Sequence, residues 1–281
     1  MATRIPHLLE SYLALPPECA QILLTGVLGA STNWLVLRYL YSYLRRPIPG
    51  EEAPTEDVRV VLVSFMRDFA FWKEGAGRLG LDLEALCRTG KFAFVDGLTG
   101  LFSGWAPPVP KGRRTLRSAS LPDIQRELDA AVADVSAPGV KTVLIVDQPD
   151  LVLAATGDEV TGLGLRDMLL DVREKVHASI VTAAADEPLI ATQTTTLEKE
   201  HAGFVLGLAH AAEMVVSLRL LDTGTASDVS GVVRITPGGG GEGDGERTVE
   251  ETELLYFVGT DGSVKVFGRG QSSLTTSRGY L

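Results

Sequence analysis

The run ILLTGVLGASTNW, residues 22–34, sets Gly26 and Gly29 between an apolar stretch and a helical one, the place of a phosphate-binding loop in an α/β protein. In the pattern G-x-x-x-x-G-K-[ST] the loop amides cradle phosphates, the lysine reaches the β and γ oxygens, and the hydroxyl holds magnesium. Counted from Gly26, the second glycine position holds Ser31, the lysine position Thr32 and the hydroxyl position Asn33. The turn survives and the groups that neutralise a triphosphate do not. A degenerate phosphate loop is the expectation, with no catalytic residue, metal or cofactor assigned to this chain.

TVLIVDQ ends in Asp147, the residue type and place of the acid that positions magnesium in phosphoryl transfer, and also of an aspartate that merely caps a parallel strand. VRVVLVSF runs into Met66 and Arg67 and meets no carboxylate until Asp68; Asp68 and Glu74 are the nearest candidates for activating a water. An atypical P-loop ATPase is therefore the second reading.

The third is a dinucleotide-dependent oxidoreductase, because Thr25-Gly26 with Gly29 is loosely similar to the T-G-x-x-x-G-x-G turn of short-chain dehydrogenases. The register is one residue off, and no Tyr stands four residues before a Lys, so the Y-x-x-x-K proton-transfer pair is missing. There is no G-x-S-x-G elbow, and His7, His177, His201 and His210 form no i, i+4 ligand pair. The histidines read as surface or helix-face residues.

One segment could meet RNA. KGRRTLR carries Lys111, Arg113, Arg114 and Arg117 in a loop flanked by proline and glycine, enough charge to engage phosphates locally because screening confines each field to about 8–10 Å.

Short β-branched runs alternate with helical stretches, which predicts an α/β fold with a mostly parallel sheet and helices on both faces. The strands are expected at 22–25, 58–65, 92–96, 142–147 and 179–183, the helices at 33–46, 71–79, 121–135, 165–176 and 197–211. The third helix is the clearest. Ser120 with Asp123 resembles a capping box, and Ile124, Leu128, Val132 and Val135 make one apolar stripe. The first is apolar nearly all round, from Trp34 to Leu44, and must lie between the sheet and a second layer or subunit. After residue 212 strands follow at 214–221, 229–235, 254–258 and 264–267, the last two joined by a turn at Thr260-Asp261-Gly262. They extend the sheet in antiparallel fashion. PGGGGEGDGE, within 237–248, reads as a flexible polar loop inside one domain spanning 1–281.

Across 281 residues, 26 basic and 36 acidic side chains give −10, which excludes a uniformly basic nucleic-acid binder; 45% hydrophobic residues suffice for a core. Cys19 and Cys87 show no metal spacing and read as small core residues of a reducing compartment, the cytosol or nucleus. No apolar run approaches the roughly 18 residues of a membrane span, and the first 18 residues lack a secretory core.

IPHLLESYLALPPE, ILLTGVLGASTNWLVLRYL, LVSFMRDFAFWKEGAGRLGLDL, FVDGLTGLF and LIVDQPDLVLAAT, taken in order, resemble the family of sixth subunits of the Elongator complex. That resemblance implies a RecA-like P-loop-type fold without a working nucleotide signature. It implies a heterohexameric ring with the fourth and fifth Elongator subunits, two copies of each, beside the remaining subunits. The ring is an accessory module that binds tRNA for wobble-uridine modification. In such rings the loops after the fourth and fifth core strands, here 148–164 and 186–198, face the central opening. Ring contacts need apolar anchors, and Phe69, Phe71, Trp72, Phe102 and Trp105 are the candidates, alongside the aromatic residues of the first helix.

Overall fold

The computed structural model describes residues 5–46, 56–103, 108–222, 226–241 and 249–268. Ala20–Gly26 forms β1, Asn33–Leu44 α1, Val58–Ser64 β2, Phe69–Arg78 α2 and Leu83–Arg88 α3. Phe92–Asp96 (β3), Thr99–Ser103 (α4), Arg113–Thr115 (β4), Leu121–Val135 (α5) and Lys141–Asp147 (β5) follow. Then come Leu151–Thr156 (α6), Gly162–Arg173 (α7), Ala178–Ala184 (β6), Thr196–Ala211 (α8) and Met214–Arg219 (β7). Gly231–Pro237 (β8), Thr252–Val258 (β9) and Val264–Phe267 (β10) are the last elements among the described residues.

The ten strands of the described residues lie in one sheet, in the order β10-β9-β8-β7-β1-β6-β5-β2-β3-β4. From β7 to β4 every pairing is parallel; β8, β9 and β10 add antiparallel strands beyond β7. The parallel strands are apolar throughout because each face feeds its own core. Val60 and Leu62 of β2 join Val143 and Ile145 of β5 under α1, α2 and α3, whereas Val61, Val63, Leu144 and Val146 meet α5, α7 and α8. All parallel strands end at the same edge, where α/β sheets hold their ligands.

The second layer over α1 comes from this same chain. Tyr39 Oη donates to the Tyr12 carbonyl at 3.1 Å, and Trp34 packs on Tyr256 of β9 with ring centroids 5.1 Å apart. Ser120 caps α5, its Oγ accepting from the Asp123 amide, as its sequence predicts. The turn at residues 259–262 closes the β9–β10 hairpin, with Gly262 at φ +80°.

Three expectations are corrected. KGRRTLR is not a loop: Arg113–Thr115 pairs with β3 as the last strand of the sheet, too short and too charged to show a strand pattern. The start of the glycine-rich stretch is tied down, because the Gly238 amide donates to the Glu213 carbonyl and the Gly240 amide to that of Ala212; residues 242–248 lie outside the described residues. Cys19 is exposed, at φ +62°, while Cys87 is buried and its thiol pushed up to about 11 by desolvation.

Candidate functional site

Gly26 ends β1 against its own turn: a Cβ there would stand 2.8 Å from the Ala30 carbonyl and 3.3 Å from the Thr32 methyl. The turn folds back at once. The Ala30 amide donates to the Val27 carbonyl at 2.8 Å, and Gly29 takes φ +90°, a conformation that side chains disfavour. Thr32, at the lysine position, is 2% exposed, and its carbonyl accepts from the Leu35 and Val36 amides. The Leu28 amide donates to Asp186 Oδ1 at 2.8 Å, and the Asn33 amide to Ser31 Oγ at 3.2 Å. A carboxylate of the segment after β6 thus occupies an amide that a phosphate would use, and residues 26–33 contain no cation to offset a second anion. The tip is apolar: Leu28 is 86% exposed, and Gly29 lies against the Leu220 side chain.

Asp147 lies on β5, separated from β1 by β6. It is fully buried. Its Oδ2 accepts from Ser64 Oγ at 2.7 Å and its Oδ1 from Thr182 Oγ1 at 3.0 Å. Each hydroxyl accepts in turn from an amide, of Arg67 and of Gln148 at 2.9 Å. Burial raises the carboxyl pKa, opposed by the two hydroxyls and by Arg67. This network ties the carboxyl ends of β2, β5 and β6 together and gives Asp147 a structural task. Asp68 caps α2 through the Phe71 amide, and Glu74 pairs with Arg78 on the same helix.

The basic segment is divided. Arg114 reaches across to α5, with Nη2 at 2.8 Å from Asp134 and Nη1 at 3.2 Å from Glu127. Arg113 turns to the other face and stacks on Phe69 at 4.0 Å, its Nε without a hydrogen-bond partner among the described residues. Lys111 and Arg117 remain exposed.

A family model described as Elongation complex protein 6 matches residues 22–257. The chain belongs to the Elongation complex protein 6 family. Family membership makes it a subunit of the Elongator complex. A KaiC-like protein from the hyperthermophilic archaeon Pyrococcus horikoshii OT3 is similar in structure, with a TM-score of 0.57 and 16% identity over 95% of this chain and 98% of that chain. The fold of this family member is RecA-like, with the antiparallel strands appended. No curated protein matches it significantly.

In this Elongation complex protein 6 family member the aromatic candidates separate by burial. Phe69 and Trp72 are core residues, Phe69 lying 5.4 Å from Phe94 between ring centroids, and neither is available to a neighbouring subunit. Phe71 lies at the surface beside Arg67, and Phe102 is 62% exposed. Trp105 lies outside the described residues.

Sequence reasoning missed one buried pair. His201 of α8 has Nε2 2.8 Å from the Ala184 carbonyl, to which it donates, and Nδ1 3.9 Å from Asp150 Oδ2. Asp150 also accepts from the Ala184 amide at 3.3 Å, and burial pushes its carboxyl up to about 6 against the pull of His201. Nothing local could reveal this pair, since Asp150 and His201 lie far apart in the chain and meet beside Ala184 at the end of β6. Among the described residues there is no cluster of three or more potential metal ligands, and no helix is long and apolar enough to cross a membrane.

Proposed function

We propose that this chain is a noncatalytic RecA-like subunit that joins the fourth and fifth Elongator subunits in a heterohexameric ring, two copies of each, in the cytosol or nucleus. The assembled ring binds tRNA and so supports wobble-uridine modification. One observation carries the noncatalytic part: the Gly26–Asn33 turn has its Leu28 amide bonded to Asp186 and a buried threonine where a lysine would hold phosphate. A fold whose ligand edge is closed in this way retains its faces for assembly, and RecA-like domains close rings through head-to-tail contacts that use a different face on each neighbour. Leu28, Leu220, Phe71 and Phe102 are exposed apolar anchors at or near the carboxyl ends of the parallel strands.

Arg113 stacks on Phe69 and Arg114 pairs with α5, which leaves Lys111 and Arg117 as the exposed cations of the basic segment; tRNA contact is a property of the assembled ring. Asp147 at the carboxyl end of β5 is the observation in favour of an atypical ATPase. Native mass measurement after co-expression with the fourth and fifth subunits tests the proposal. A complex with two copies of each supports it. A chain that stays monomeric beside both, or that alone hydrolyses ATP with loss on Asp147→Ala, refutes it.

A further inference from the structure

Among the described residues β4 is the last strand of the sheet, bonded on one side only. The Phe94 amide of β3 donates to the Gly112 carbonyl, and the Leu116 amide donates to the Asp96 carbonyl, both at 2.9 Å. Successive residues of a strand in a parallel ladder direct their backbone groups to opposite sides, so Gly112, Arg114 and Leu116 face β3 while Arg113, Thr115 and Arg117 face outward. The Arg113 amide is used by the Pro110 carbonyl at 3.1 Å. That leaves the Arg113 carbonyl, both backbone groups of Thr115 and the Arg117 amide without a backbone partner among the described residues. A bare edge of this kind is a template for another strand.

The space beside it is shaped for one. A cavity of about 670 Å3 follows the outer side of β4, bounded by Cys87 and Phe92 on one flank and by Glu127 and Val135 of α5 on the other. Gly112 sets the depth: its φ is +79°, and a Cβ there would stand 2.9 Å from the Cys87 Cβ. Charge selects the occupant. Of the cations lining the cavity, Arg114 and Arg126 are paired with Asp134, Glu127 and Asp123. Lys111, Arg113 and Arg117 have no carboxylate within reach among the described residues, in a chain whose net charge is −10.

We propose that the outer edge of β4 receives an extended, acid-rich segment of a neighbouring Elongator subunit as an eleventh strand. Main-chain bonds to Arg113, Thr115 and Arg117 supply the pairing, and the three uncompensated cations meet its carboxylates. An RNA strand fits less well, because its phosphates are acceptors that cannot meet the Arg113 and Thr115 carbonyls, which the amides of a peptide strand satisfy in register. The inference rests on the chain acting within the Elongator ring.

Reconstitution with the fourth and fifth subunits provides the test. Thr115→Pro deletes an outward amide that the β3 ladder does not use, and Lys111→Glu with Arg117→Glu reverses the rim charge. Each is expected to weaken association at least about tenfold while the free chain melts within about 2 °C of the unmodified one. In the unmodified complex the Thr115 and Arg117 amides should exchange hydrogen at least about tenfold more slowly than in the free chain. Unchanged association in both variants together with unchanged exchange overturns the edge proposal and leaves the ring standing. Failure of the unmodified chain to assemble overturns the ring, and the edge proposal with it. If a uridine-rich single-stranded RNA protects those amides in place of the partner subunits, and its binding survives Thr115→Pro, RNA is the occupant and the proposal is wrong. Should Thr115→Pro fail to fold, the charge-reversal variant and the exchange measurement still decide.

Discussion

The Gly26–Asn33 turn and the Arg113–Thr115 strand both announce ligand binding in the sequence, one by its glycines and the other by its cations, and the structure treats them in opposite ways. The turn is satisfied from within: an internal carboxylate takes the Leu28 amide and a buried methyl fills the place of a lysine. On β4 it is the side chains that are partly satisfied, Arg114 by α5 and Arg113 by Phe69, while the backbone edge stays open among the described residues. A motif that lends its Leu28 amide to an internal carboxylate and holds no cation is architecture. A segment with unmet main-chain donors and acceptors beside a cavity has something left to bind.

The largest expected effect separates core aromatics from surface ones. Trp72→Ala empties a fully buried site and should cost about 3–5 kcal/mol in chemical denaturation, whereas Phe102→Ala should stay within about 0.5 kcal/mol. Equal costs would mean that the two do not differ in burial. Next, Asp147→Ala leaves the Ser64 and Thr182 hydroxyls without their shared acceptor and should destabilise by about 2–3 kcal/mol. A variant as stable as the parent would free Asp147 from its structural task and revive a metal role.

Asp150 gives a pH signature. Its folded pKa lies above the unfolded value of about 3.9, so between about pH 4 and pH 6 the folded chain keeps a proton that the unfolded chain has released. Its contribution to stability is therefore complete below about pH 4 and lost as pH rises through about 6. Asp150→Asn should flatten that segment of a melting-temperature series; a slope identical to the parent's would show that Asp150 is charged throughout. A small effect also belongs to the exposed edge. Arg114→Ala removes two partly solvated ion pairs, should cost under about 1 kcal/mol, and should leave tRNA binding by the ring unchanged. A large loss of tRNA binding would return Arg114 to the RNA surface.

Much of the architecture was legible from local chemistry. Apolar runs such as TVLIVD sit on β5 and VRVVLVS on β2, and the Ser120 cap with its stripe through Val135 defines α5 within a residue of its observed ends. Three classes of feature were not. Leu83–Arg88 and Leu151–Thr156 are six-residue helices, too short to display a period. Arg113–Thr115 is a strand because β3 lies beside it, and its own residues argue for a loop. Asp186, the residue that closes the turn, lies far along the chain from Leu28 and is brought there only by the pairing of β1 with β6. The missing lysine was readable at once; the carboxylate that takes over the Leu28 amide was not.

The central claim is that the Gly26–Asn33 turn has no vacancy for a nucleotide. Calorimetric titration of the purified chain with magnesium ATP tests it most directly. The account predicts no binding heat up to millimolar nucleotide, for the chain as it stands and for Asp186→Ala alike, because removing the carboxylate restores no cation. Saturable binding in the micromolar range by the unmodified chain would contradict it.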